Sequence, residues 1–161
     1  MRTVSVLALL LLAGCGSAPG AGTACTEIGA PAGVGVDTAP GLPAHAAEVE
    51  VCWEGECRSA EAVLNPATEP GDTGCAGTSP DDGCSARLTP TGGATGFVDV
   101  PELPDRPVEL TLTITDGAGE TLATDTLRVT PRRVYPNGSH CGAAGPQVRL
   151  DVSAEGRVSV G

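Results

Sequence analysis

Val108-Glu-Leu-Thr-Leu-Thr-Ile-Thr115 alternates large apolar and polar side chains without a break. Successive side chains of a strand point to opposite faces, so this spacing predicts a half-buried β-strand. Val108, Leu110, Leu112 and Ile114 would face a core, and Glu109, Thr111, Thr113 and Thr115 would face water. Asp116-Gly117-Ala118-Gly119 reads as a turn. Leu122, Leu127 and Val129 then belong to a return strand, and the change of parity between 122 and 127 predicts a bulge.

The same period of two recurs outward from this hairpin. Val34 and Val36 lie two apart in a Gly-Val-Gly-Val run. Val49, Val51 and Trp53 share one face, with Glu48, Glu50 and Cys52 on the other. Phe97, Val98 and Val100 make a short strand before Pro101. Val148, Leu150 and Val152 make another, which Ala154-Glu155-Gly156 turns into Val158 and Val160. No segment carries an apolar period of 3.6 residues. Eight or nine short strands predict an all-β fold, an antiparallel immunoglobulin-like β-sandwich, with a small closed β-barrel as the alternative. The stretch 65–96 has almost no apolar content and is punctuated by Pro66, Pro70, Pro80 and Pro90 and by Gly71, Gly74, Gly77 and Gly83. It reads as a long loop, the least constrained surface and the place where a binding site could be put.

The N-terminus carries a different signal. Val4 to Ala13 is an apolar run of ten residues behind Met1-Arg2, too short for the roughly 20 residues of a membrane-spanning helix. It ends in Leu12-Ala13-Gly14-Cys15, which looks like a bacterial lipobox. The expected organisation is a signal peptide over 1–14, a lipidated Cys15, a flexible tether over 15–24 and a single domain over 25–161. The tether reaches at most about 35 Å when stretched. The expected location is the extracytoplasmic face of the cell membrane, with the membrane itself as a partner through the lipid on Cys15.

Without the leader, eight arginines stand against twenty acids and there is no lysine, a formal charge of −12. Such a surface repels nucleic acid and anionic lipid headgroups. Leu, Ile, Val and Phe make up only about 18% of the mature chain, near the composition of disordered proteins. Six cysteines offset this thin core. An even number in an exported chain implies a disulfide framework, with 15 possible connectivities. Cys52-Trp-Glu-Gly-Glu-Cys57 reads as a hairpin turning at Glu54-Gly55, which puts Cys52 opposite Cys57 at a non-hydrogen-bonded pair. Cys75 and Cys84 bracket a Gly, Pro and Asp-rich stretch and pair by proximity. Cys25 and Cys141 then remain for each other, near the two ends of the domain. An oxidising compartment and the absence of a C-x2-C pair argue against structural zinc at these cysteines or at His140-Cys141.

Three segments together resemble a known group. They are Ala24-Cys-Thr-Glu-Ile-Gly29, Glu50-Val-Cys-Trp-Glu-Gly-Glu-Cys57 and Tyr135-Pro-Asn-Gly-Ser-His-Cys-Gly-Ala-Ala-Gly-Pro-Gln-Val-Arg-Leu150. The chain is similar to small exported lipoproteins of high-GC Gram-positive bacteria (actinobacteria), with the same lysine-free, Ala/Gly/Arg-rich composition. The resemblance covers most of the mature domain. It implies compartment and lineage, and it implies that the six domain cysteines are structural. It brings no catalytic residue with it.

The residues offer little chemistry of their own. His45 has no partner motif. Ser139 and His140 are adjacent, a spacing that does not set Oγ against Nε2. No Gly-x-Ser-x-Gly, His-Glu-x-x-His or phosphate-binding loop is present. Asp72, Asp81 and Asp82 crowd one loop, which could hold Ca²⁺ but cannot supply two carboxylates across a cleft. Asn137-Gly138-Ser139 matches a glycosylation sequon by accident. No motif asks for a cofactor. The expected protein is therefore a non-catalytic interaction or structural module with an extracytoplasmic protein partner, and the alternative is a small-ligand or Ca²⁺-binding lipoprotein.

Overall fold

The computed structural model describes residues 24–161 except 27, 72, 73, 76 and 80. The leader 1–14, Cys15 and the tether as far as residue 23 lie outside the described residues.

The described chain is all-β. Its strands are β1 (Gly33–Thr38), β2 (Ala46–Trp53), β3 (Glu56–Val63), β4 (Asn65–Pro70), β5 (Gly74–Cys75), β6 (Cys84–Ser85), β7 (Leu88–Asp99), β8 (Val108–Thr115), β9 (Thr121–Val129), β10 (Arg132–Arg133), β11 (Pro146–Val152) and β12 (Val158–Val160). A single 3-10 turn covers Ser139–Cys141. One sheet has the order β3-β2-β8-β9. The other runs β10-β11-β1-β7-β4, with β12 also on β11. Pairing is antiparallel except between β1 and β11, which run parallel in register Val34↔Val148 and Val36↔Leu150.

The two sheets share one core and do not close into a barrel. Val49, Val51, Leu110, Leu112 and Ile114 come from the first sheet; Val34, Val36, Val98, Leu150 and Val152 come from the second. All are essentially inaccessible to water. Inward alternation on both sheets is what makes this a sandwich. At one margin the chain steps between sheets through Leu64 alone, since β3 ends at Val63 and β4 begins at Asn65. Leu64 is buried, and a Cβ on Gly96 would meet its Cδ2 at 2.6 Å, so the glycine makes room for the crossing. The likeness to the immunoglobulin architecture is one of layers: Cys52 bonds to Cys57 within its own hairpin and not across the sheets.

The bulge in the return strand falls where Ile114 pairs with Ala123 but Thr115 pairs with Thr121, leaving Leu122 as the extra residue. The stretch 65–96 is corrected by the structure. It is not a loop. β4 pairs with β7 from Asn65↔Thr95 to Pro70↔Leu88, and β5 pairs with β6 beyond. β7 meets β1 only over residues 95–99, so from 88 to 92 it is an edge strand, as β4 is throughout. Edge strands tolerate proline, which explains Pro66, Pro70 and Pro90 inside paired strands. The register breaks between Pro66 and Thr68, where the Thr91 hydroxyl donates to the Ala67 carbonyl at 3.2 Å and Gly92 takes φ 85°. Both strands are exposed on either face here, which is why no alternation marked them.

Candidate functional site

Strand polarity sorts the loops into two poles. At one pole lie the β2–β3 turn, the segment 100–107 between β7 and β8, the segment 130–145, and residues 24–32, where the tether would join. At the other lie residues 39–45, the β8–β9 and β11–β12 turns, and the β4–β7 arm, which extends past the sandwich.

The tether pole is held by covalent and ionic links. Cys25 bonds to Cys141, 116 residues away. Asn137 ties the same two segments: Nδ2 donates to the Ile28 carbonyl at 2.8 Å, and the Thr26 hydroxyl donates to its Oδ1. Backbone bonds from Gly145 N–H to Ala30 and from Val100 N–H to Ala32 continue the seam. At the β2–β3 turn Glu54 has φ 53° and Gly55 φ 83°, both left-handed as a type I′ turn requires. Glu54 is the one non-glycine residue with positive φ among the described residues. Arg106 Nη1 reaches its Oε1 at 2.6 Å. Arg58 lies over the Trp53 ring at 5.9 Å and pairs with Glu56 at 3.0 Å and Glu102 at 3.5 Å. Arg133 donates to Asp105 at 2.7 Å, and this hydrogen bond, with the charge behind it, holds the Asp105 carboxyl below its ordinary range.

The Cys25–Cys141 bridge follows from the cysteine count, but the ion pairs and the Asn137 contacts leave no mark in the sequence, because their partners come from separate segments. Of the signals, only Glu54-Gly55 was local, and it was read as a turn.

The arm pole carries the acidic stretch singled out for Ca²⁺. Asp82 accepts the Ser79 N–H at 2.6 Å and its carboxylate packs on Gly77, so it braces its own turn. Asp81 is exposed, and Asp72 lies outside the described residues. Cys75 bonds to Cys84 at the far end of the arm. An open hollow of about 390 Å³ sits at the arm's base, lined by Leu42, Pro43, His45, Leu64, Pro66 and Pro90. A second, of about 530 Å³, lies beside β11 and β12 between Asp37, Asp151 and Arg157.

His45 and His140 stand at opposite poles, both exposed, so the structure does not bring the two histidines together. Among the described residues, two groups have metal-ligand spacing: Cys25, His140, Cys141 and Glu50, Cys52, Cys57. In each, both sulfurs are committed to a disulfide, which removes the thiolates a zinc site would use. The Asn137 amide is engaged with Thr26 and Ile28, a structural use for the residue of the sequon. No described helix is long and apolar enough to cross a membrane.

No family model, curated protein or solved structure matches this chain.

Proposed function

We propose that this protein is a lipid-anchored, extracytoplasmic and non-catalytic interaction module, held to the membrane through Cys15 and presenting the β4–β7 arm to a protein partner. The observation that carries the reading is the opposition of the two poles. The tether would enter at Cys25, and the arm leaves from the other end. A domain anchored this way stands with its arm directed away from the membrane. The Leu12-Ala13-Gly14-Cys15 motif supports the anchor, and the resemblance to actinobacterial exported lipoproteins supports the compartment.

The arm suits recognition more than stability. Its side chains from Thr68 to Pro70 and from Leu88 to Gly92 are exposed, and Leu88 is 64% accessible. Its outer part, beyond Ala94, contributes no side chain to the core. Its free edge carries Pro66 and Pro70, which block addition of another strand and so discourage self-association. Binding would therefore use side chains and not the backbone ladder. Aromatic residues number three after the leader, too few for a sugar groove.

Two measurements test this. Cys15→Ser should release the protein from the membrane or leave an unprocessed precursor, and a processed wild type without acyl chains would sink the anchor. A photo-crosslinking residue at Leu88 should trap one discrete protein in intact cells, and the same residue at Glu48, on the outer sheet face, should not. Equal trapping at both positions would remove the arm's role.

A further inference from the structure

We propose that the tether pole is itself a lipid-contact surface, on which the domain rests through Trp53, Arg58, Ile28, Tyr135, Arg128 and Arg132. The inference rests on the anchor at Cys15 proposed above. Ten residue steps separate Cys15 from Cys25, and the Cys25–Cys141 bridge fixes where that tether meets the domain. A tether of at most about 35 Å keeps this one pole within reach of the headgroups at all times. A short linker also raises the effective concentration to the millimolar range, so individually weak contacts suffice.

The residues gathered there are those that interfaces favour. Ile28 is 61% and Tyr135 50% accessible, although the described domain has few large exposed apolar side chains. The Ile28 carbonyl is held by Asn137, and the Gly138 N–H bonds to the Tyr135 carbonyl, so one turn carries both backbones. Trp53 caps the core at the same end, under the Arg58 guanidinium. Trp and Tyr sit at the water–lipid boundary because their rings are apolar with one polar atom, and arginine stems snorkel there. Of the three aromatic residues after the leader, Trp53 and Tyr135 are at this pole.

Charge is distributed to allow it. Five of the eight arginines (Arg58, Arg106, Arg128, Arg132 and Arg133) lie at this pole, against seven described acids. The rest of the domain has three arginines against eleven described acids. Strands of eight residues separate the poles by about 26 Å. That is roughly three Debye lengths at physiological salt. The larger acidic excess, on the rest of the domain, is therefore screened from a membrane touching the tether pole, where the described acids outnumber the arginines by only two. Arg128 and Arg132 form no ion pair among the described residues, which leaves two guanidinium groups for lipid phosphates.

The chain has one tryptophan, so its emission reports this surface directly. The full-length acylated protein is reconstituted into phosphatidylglycerol–phosphatidylethanolamine vesicles with and without a headgroup nitroxide lipid. Trp53 emission should fall at least twofold with the nitroxide. In the double variant Trp53→Phe/His45→Trp, which moves the indole to the arm pole, it should be almost unchanged. Arg128→Glu/Arg132→Glu should weaken the quenching of Trp53. Mass analysis of the Cys15 peptide separates the two readings. Acylated Cys15 with unquenched Trp53, or equal quenching at positions 53 and 45, overturns the contact surface and leaves the anchor standing. Unacylated Cys15 overturns both. Protection of Trp53 that grows with protein density on the vesicle, and not with lipid, would assign the surface to a second copy of this chain and overturn the proposal.

Discussion

Cys25 is bonded to Cys141 across 116 residues, whereas Cys52 is bonded to Cys57 across five. In the chain-entropy model the long closure stabilises the fold by about 5 kcal/mol and the short one by about 2 kcal/mol. Cys25→Ala/Cys141→Ala should therefore lower the thermal midpoint more than Cys52→Ala/Cys57→Ala. The third bridge, Cys75–Cys84, closes nine residues at the exposed far end of the arm. Its removal should let the arm end open locally without moving the global midpoint. Thermal unfolding of the three double variants checks the order, and a midpoint that falls with the third pair would show that the arm supports the sandwich.

Gly33 and Gly35 sit two apart on the outer face of β1, and their surroundings differ sharply. A Cβ at 33 would strike the Val98 carbonyl and lie 2.7 Å from the Phe97 ring. A Cβ at 35 would find its nearest neighbour, the Arg149 Cγ, at 3.8 Å. Gly33→Ala should cost about 1–3 kcal/mol, the range for overpacking, because a backbone carbonyl in a sheet cannot move aside. Gly35→Ala should be neutral or slightly stabilising, since alanine has less backbone entropy to lose. Urea unfolding of the pair decides; equal losses would mean that Phe97 and β7 give way at little cost.

The contrast between β8 and the arm shows what was legible. β8 has one wet and one dry face, so Leu110, Leu112 and Ile114 announce it in the sequence. β4 and the first half of β7 are wet on both faces. Their pairing uses backbone groups, which leave no mark in side-chain pattern, and Pro66, Pro70 and Pro90 argue for a loop unless the strands are known to be edges. The parallel pairing of β1 with β11 was equally hidden, because it joins residues more than a hundred positions apart. The Cys52–Cys57 bridge was readable because a two-residue hairpin turn fixes its own register. The two poles were not: they depend on strand direction, and the arginines at one of them come from β3, β9, β10 and a connecting segment.

Glu54 adopts φ 53° at the first central position of its turn, where asparagine or glycine is the usual occupant. The left-handed conformation costs an ordinary residue about 1–2 kcal/mol. The ion pair with Arg106 offsets little, since both side chains are largely exposed and such pairs contribute about 0–1 kcal/mol. Backbone relief exceeds the lost pair, so Glu54→Asn should stabilise by about 0.5–1 kcal/mol. A higher urea midpoint with unchanged slope is the expected result. A lower midpoint would mean that Arg106 anchors the 100–107 segment through Glu54 more strongly than an exposed pair should.

Asp37 supplies the pH-dependent part of the outer face of the second sheet. Burial alone would push its carboxyl up. The hydrogen bond from Arg149 at 2.5 Å, that from the Thr95 hydroxyl at 2.7 Å and the Arg149 charge outweigh it, and the carboxyl sits below its ordinary value of 3.8. A depressed folded value means that the ionised form stabilises the fold. That contribution is fully present above the ordinary aspartate value and is lost as pH falls through the folded one. Asp37→Asn should therefore be less stable than wild type at pH 7, by under about 1 kcal/mol because Arg149 is mostly exposed. The gap should shrink as pH falls below the ordinary aspartate value toward the depressed folded one, through which wild-type Asp37 protonates and comes to match the amide in charge. Urea unfolding of both proteins at pH 7 and pH 3 measures it. A gap of the same size at both values would mean that Asp37 acts through its shape and its bond to Thr95, and that its charge is incidental.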